Sequence, residues 1–172
     1  MRQGDQAIDA TVGNGHDTLF LAEKVGPSGR VFGFDIQAEA IGATQARLDA
    51  SSLADRVILF QACHSTLSDC FEGEIRAAMF NLGYLPGGDK TLVTRTATTL
   101  TAVAAALSRL MPGGLMTVMV YPGHPGGDDE AEQVESWAAG LDSENFAVEI
   151  HRWKGRTATP PRLIAIERRA PV

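Results

Sequence analysis

Short apolar runs rich in β-branched and aromatic residues alternate along this chain with stretches at helical spacing. Few architectures accommodate that order, and the leading one is a mostly parallel sheet covered by helices on both faces. The spacing predicts strands over 7–10, 31–35, 57–60, 75–80 and 115–120, followed by a late pair near 147–153 and 162–167. The late pair is close enough in sequence to run antiparallel, so the expected sheet has seven strands with an antiparallel last strand. Helices are expected over 16–25, 38–48, near 65–71, 94–110 and 128–141. Gly26-Pro27-Ser28-Gly29 stops the first helix, and Met111-Pro112-Gly113-Gly114 closes the Ala/Leu/Thr-rich one before the fifth strand. At 172 residues, 44% of them hydrophobic, the chain reads as one domain over 1–172. A domain of that size buries roughly 70% of the surface of its unfolded chain and needs no disulfide or metal to fold.

Charge and cysteine usage exclude several classes. Cys63 and Cys70 lack Cys-x-x-Cys spacing, so neither a zinc site nor a redox pair is indicated, and Cys70 reads as a buried thiol. No run of about eighteen apolar residues exists and the N-terminus is polar, so no membrane partner is expected and the cytoplasm is the default compartment. Fifteen Lys and Arg against 21 Asp and Glu give a net charge of -6, which argues against coating nucleic acid along the whole surface. A local exception is 151–169, where Arg152, Lys154, Arg156, Arg162, Arg168 and Arg169 face one acid, Glu167. Two readings of that segment stand side by side: a patch for an anionic partner, or a solvated terminal hairpin.

Asp9-Ala10-Thr11-Val12-Gly13-Asn14-Gly15-His16 lies where the first strand turns into the first helix, and its glycines let backbone N–H groups approach a ligand. Thr18 stands where a dinucleotide fingerprint needs its third glycine, so a pyrophosphate cradle is disfavoured. Asp9 and Asp35 suit a nucleoside with a cationic amino-acid tail and a ribose diol. A carboxylate accepts two hydroxyl hydrogen bonds at once, and Asp35, ending the second strand, is placed to hold the ribose. S-adenosylmethionine has these parts.

Three blocks carry a family resemblance. They are Asp9 to Thr18, then Gly33-Phe34-Asp35-Ile36-Gln37, then Asn81-Leu82-Gly83-Tyr84-Leu85-Pro86-Gly87-Gly88-Asp89-Lys90. Over nearly the whole chain the sequence resembles a small class I methyltransferase family labelled rRNA methylase. Its characterised members are similar to the tRNA 5-aminomethyl-2-thiouridine methyltransferase, which completes the methylaminomethyl group on the wobble uridine. The resemblance implies a Rossmann-like class I methyltransferase domain. It also implies an S-adenosylmethionine site built from Asn14, Gly15, His16 and Asp17 in the first turn, Asp35 and Gln37 after the second strand, and Cys63 and His64 after the third. Family members more usually have Ser-His at Cys63-His64, and a thiol is the weaker donor. Taken alone, His64 reads as a loop histidine. Members also carry an additional N-terminal segment, expected to be helical and to pack beside the cofactor pocket, and this sequence, starting a few residues before its first strand, is expected to be without it.

Asn81-Leu82-Gly83-Tyr84 is similar to the Asn-Pro-Pro-Tyr element with which amino-methyltransferases hold a target nitrogen. An amine lone pair must point at the methyl in line with the leaving group. Asn81 Oδ1 and the Leu82 carbonyl can accept the amine N–H bonds, and Tyr84 can stack on the target base, so Asn81 and Tyr84 are the expected catalytic residues. Loops at the carboxyl ends of parallel strands are where α/β folds bind ligands. Lys90 is a candidate phosphate contact or a solvated loop charge. Tyr121 and His124 follow the fifth strand, and His124 is a candidate for substrate contact or a proton route. Trp137 is expected in the core. Trp153 is read as a cap on the core, with stacking on an unpaired base as the alternative.

The reading is a methyltransferase acting on the wobble uridine of tRNA, by N-methylation of the aminomethyl group of 5-aminomethyl-(2-thio)uridine. Alternatives are methylation of rRNA or of a small amine, a catalytically silent cofactor-binding module, and an NAD-dependent oxidoreductase. No metal is expected, and a homodimer is left open.

Overall fold

The computed structural model describes residues 1–89, 91–153 and 159–170. Its strands are β1 (Gln6–Asp9), β2 (Arg30–Asp35), β3 (Val57–Gln61), β4 (Ile75–Asn81), β5 (Leu110–Val120), β6 (Phe146–Arg152) and β7 (Arg162–Arg168). Helices α1 (His16–Val25), α2 (Ala38–Ala50), α3 (Leu67–Cys70), α4 (Thr96–Arg109) and α5 (Gly127–Ala139) connect them. All seven strands join one sheet in the order β3-β2-β1-β4-β5-β7-β6. The pairs among β1 to β5 are parallel, and β7 runs antiparallel to both β5 and β6, as the sequence predicts. With β1 and β4 adjacent at the centre, chain direction reverses there, and a topological switch point opens at their carboxyl ends.

Side-chain alternation along the strands feeds two apolar layers. On one face Ile8, Phe34, Phe80, Met116 and Ile164 pack against Val103 and Leu107 of α4 and Val134 of α5. On the other, Ala7, Val31 and Ala77 meet Leu21 and Val25 of α1 and Leu48 of α2. Phe34 and Phe80 are among the largest fully buried side chains, each contributing roughly 1.5–3 kcal/mol of burial. Phe34 also stacks on Phe60 at 4.9 Å.

Two local expectations change. Residues 111–114 do not form a turn ahead of a strand starting at 115: β5 already pairs at Leu110, opposite Ile75, and the register then shifts so that Ala77 meets Leu115. Gly113, at φ 72, absorbs the extra length, and Arg76 donates to the Pro112 carbonyl at 3.0 Å. Trp153 is 73% exposed and caps no core; Trp137 does pack against the core. Among the described residues, no helix is long and apolar enough to cross a membrane.

Candidate active site at the carboxyl edge of the sheet

A cavity of about 790 Å³ opens where β1, β2, β4 and β5 end, and the residues read from sequence come together around it. Asn14, His16, Asp17, Asp35, Gln37, Cys63 and His64 line one side, and Asn81 and Tyr84 line the other. Gly15 plays a different part. It caps α1 at φ 78, and a Cβ there would sit 2.7 Å from Thr44 Oγ1, so only glycine lets the turn lie against α2.

The first turn is held from below by three groups. Asp35 Oδ2 accepts from the Gly13 amide and Oδ1 from the Gln37 amide, both at 3.0 Å. Thr44 Oγ1 donates to the Gly13 carbonyl at 3.0 Å, and Arg47 Nε to the Asn14 carbonyl at 2.7 Å. Arg47 Nη2 also lies 3.3 Å from His16 Nε2. Thr44 and Arg47 were not singled out in the sequence; being three apart, they share one face of α2, and that spacing is the only signal they give.

Asp9 does not reach toward a ligand. It is 1% exposed, and its carboxylate accepts from Thr18 Oγ1 at 2.5 Å and from the Thr11 amide at 3.2 Å. Burial pushes its carboxyl up to about 7, against the opposing pull of those two bonds. The residue that replaces the third fingerprint glycine is therefore the hydroxyl that satisfies the buried acid.

His64 is also buried, 7% exposed. Its Nδ1 lies 3.2 Å from the Ala10 carbonyl, which can only accept, so Nδ1 carries the proton. Burial holds the imidazole below its usual value. Nε2 is then the nitrogen with the lone pair; it is buried and finds no partner among the described residues, on a ring that belongs to the cavity lining.

On the opposite side, β4 delivers Asn81, whose amide donates to Thr11 Oγ1 at 2.7 Å. The Leu82 amide donates to the Met119 carbonyl at 2.9 Å, and the Gly83 amide to Thr94 Oγ1 at 2.9 Å. The Asn81 side chain hydrogen-bonds the Tyr121 hydroxyl; burial and the Asp17 charge raise that phenol against the lowering effect of this bond. Tyr84 meets His124 edge-on at 6.1 Å. His124 Nδ1 lies 3.2 Å from the Pro125 carbonyl. Arg95, not singled out in the sequence, also lines this side.

The basic segment is largely spent within the fold. Arg152 and Arg162 both pair with Glu135, at 2.9 and 3.0 Å. Arg168 donates to the Leu110 carbonyl and Arg169 to the Ser143 carbonyl. Lys154, Arg156 and Lys90 lie outside the described residues.

Comparisons with known proteins bear on the family and the fold. A family model described as "Putative rRNA methylase" matches residues 31–167. A chloroplastic tRNA (mnm(5)s(2)U34)-methyltransferase of Arabidopsis thaliana is 44% identical over 151 residues, covering 82% of this chain and 55% of that protein. The chain therefore spans little more than half the length of that curated relative. The crystal structure of a "putative rRNA-methylase" from Clostridium thermocellum superposes with a TM-score of 0.94 at 42% identity, covering 98% of this chain and 90% of the other. A "putative methyltransferase" from Streptococcus mutans in complex with SAH gives 0.88 at 37% identity, with the same two coverages, 98% and 90%.

Proposed function

The chain belongs to the rRNA methylase family, with the class I methyltransferase fold, and on that premise we propose that it is an S-adenosylmethionine-dependent methyltransferase of RNA. Its substrate in this reading is the aminomethyl group of 5-aminomethyl-(2-thio)uridine at the tRNA wobble position, and its product the methylaminomethyl group. The observation that carries the reading is one cavity with two chemically distinct sides: a carboxylate-bearing Gly-loop side and an acceptor side of Asn81 and Tyr84.

The Gly-loop side fits S-adenosylmethionine. Asp35 offers its remaining lone pairs to a ribose diol while its two backbone bonds keep the carboxylate aimed. His64 Nε2 is a buried acceptor awaiting a donor, which adenine and ribose both supply. Asn14, His16, Asp17, Gln37 and Cys63 complete that side. When bound, the cofactor supplies a methyl group activated by a sulfonium. The chain's residues then have to orient a neutral amine. Asn81 Oδ1 and the Leu82 carbonyl accept its N–H bonds, Tyr121 fixes the Asn81 amide, and Tyr84 stacks on the base. No covalent nucleophile is required.

A relative acting on tRNA favours the wobble nucleotide over rRNA, although the family description names rRNA. A reducing compartment such as the cytoplasm suits two free cysteines. The test is nucleoside mass spectrometry after incubation with S-adenosylmethionine and tRNA carrying 5-aminomethyl-2-thiouridine. A gain of one methyl on that nucleoside is expected, and Asn81→Ala abolishes the gain while retaining S-adenosylhomocysteine binding. An unmodified wobble nucleoside alongside methylated rRNA refutes the substrate assignment.

A further inference from the structure

The loop after β4 returns as a strap over the acceptor side, and a single buried acid lies behind it. Tyr84 and Val93 form an antiparallel bridge across the strap. Gly83 and Thr94 bond reciprocally: the Gly83 amide donates to Thr94 Oγ1 at 2.9 Å, and the Thr94 amide donates to the Gly83 carbonyl at 2.9 Å. Having accepted from Gly83, the Thr94 hydroxyl gives its own proton to Glu130 Oε2 at 2.6 Å. The other oxygen, Oε1, accepts from Thr99 Oγ1 of α4 at 2.7 Å. Glu130 stands in the first turn of α5 and is 3% exposed.

We infer that Glu130, acting through the Thr94 hydroxyl, is a positioning residue for the acceptor element Asn81-Leu82-Gly83-Tyr84. The inference rests on the proposed methyl transfer, because the element's task is to aim the acceptor amine. A threonine hydroxyl has one proton and rotates freely unless an acceptor fixes it. The buried carboxylate provides that acceptor, leaving a lone pair of Thr94 Oγ1 aimed at the Gly83 amide. Gly83 sits at φ 119, a backbone state nothing in its own side chain enforces, so the direction of the Leu82 carbonyl depends on this outside restraint. Thr99 shares the carboxylate but touches no part of the acceptor element in this chain of bonds, which makes it an internal control.

Four variants separate positioning from plain stability: Thr94→Val, Thr94→Ser, Thr99→Val and Glu130→Gln. Glutamine keeps the volume of Glu130 but offers one acceptor oxygen to two hydroxyl donors. Thr94→Val and Glu130→Gln should lower kcat for tRNA methylation roughly tenfold to a hundredfold, the scale of a small misplacement of a reacting group. Their KM for tRNA and affinity for S-adenosylhomocysteine should stay within about twofold of wild type. Thr94→Ser should restore kcat, and Thr99→Val should lose thermal stability without losing turnover. Amide hydrogen exchange at Gly83, read on the protein alone, should quicken in Thr94→Val and not in Thr99→Val. Equal losses of kcat in Thr94→Val and Thr99→Val, or an unchanged Gly83 exchange rate in Thr94→Val, overturn the inference. A wild-type protein inactive on the aminomethyl tRNA refutes the substrate reading instead, and the Gly83 exchange still decides whether the clamp exists.

Discussion

Asp9 makes a prediction about stability that runs against the usual behaviour of a native carboxylate. Its carboxyl is raised from 3.8 to about 7, chiefly by burial, with the Asp17 and Asp35 charges adding and the Thr18 and Thr11 bonds subtracting. Between those two values the folded chain keeps a proton that the unfolded chain has released. Native protein thus binds more protons than unfolded protein in that window, and stability falls as pH rises through it. At about 1.4 kcal/mol for each tenfold change in proton affinity, the full penalty above pH 7 approaches about 4 kcal/mol. Roughly 2.5 kcal/mol of it accrues between pH 5 and pH 8. Asp9→Asn removes the titration and keeps a partner for the Thr18 hydroxyl. Urea unfolding of both proteins across pH 5 to 8 isolates the contribution, since every other titrating group cancels in the difference. The wild-type curve should fall relative to the variant as pH rises. Parallel curves would show that Asp9 is already ionised in the folded protein and that the burial argument is wrong.

Other predictions address the cavity. Asp35→Asn leaves one acceptor oxygen for the Gly13 and Gln37 amides and removes the charge that the proposed site offers to the ribose. Calorimetry should show S-adenosylhomocysteine affinity reduced by about 1.5–3 kcal/mol, and unchanged affinity removes Asp35 from the cofactor site. Arg95→Gln should flatten the salt dependence of tRNA binding by about one unit of slope while sparing the cofactor; Arg152→Gln, whose guanidinium pairs with Glu135, should change the slope less. An identical slope in Arg95→Gln and wild type would take that residue out of the RNA interface.

The strands and helices were legible because their periodicities are local, and every strand except β5 begins within a residue of its expected start. At β5, Pro112-Gly113-Gly114 has the composition of a turn, yet pairing at Leu110 across from β4 makes it a bulged strand. No one-dimensional pattern contains that partner. The cavity-lining residues were legible for a different reason: strand ends of a parallel sheet converge, so residues at those ends meet whatever lies between them. The supports were not legible. Thr44 with Gly13, Arg47 with Asn14, and Glu130 with Thr94 are separated by 31, 33 and 36 residues. Asp9 misled because an acid at the head of a glycine turn reads as a ligand contact, while Thr18, nine residues on, gives it a hydrogen-bond partner inside the fold.

These supports divide the cavity electrostatically. Among the described residues that line it, the acids are Asp17 and Asp35, both on the Gly-loop side. The acceptor side offers Asn81, Tyr84, Tyr121 and His124 with a single guanidinium, Arg95. Glu130 stands behind that side, but two threonine hydroxyls occupy its oxygens and the strap covers it. A protonated amine arriving there would meet the Asn81 amide and the Arg95 guanidinium, which disfavour the ammonium, against the Asp17 charge, which reaches Tyr121 on the same wall and favours it. The same acid that would have stabilised an ammonium, had it faced the cavity, is turned inward to hold the loop that aims the amine. Under the proposed reaction the two acceptors, Asn81 Oδ1 and the Leu82 carbonyl, match the two N–H bonds of a neutral amine and leave its lone pair to the methyl group.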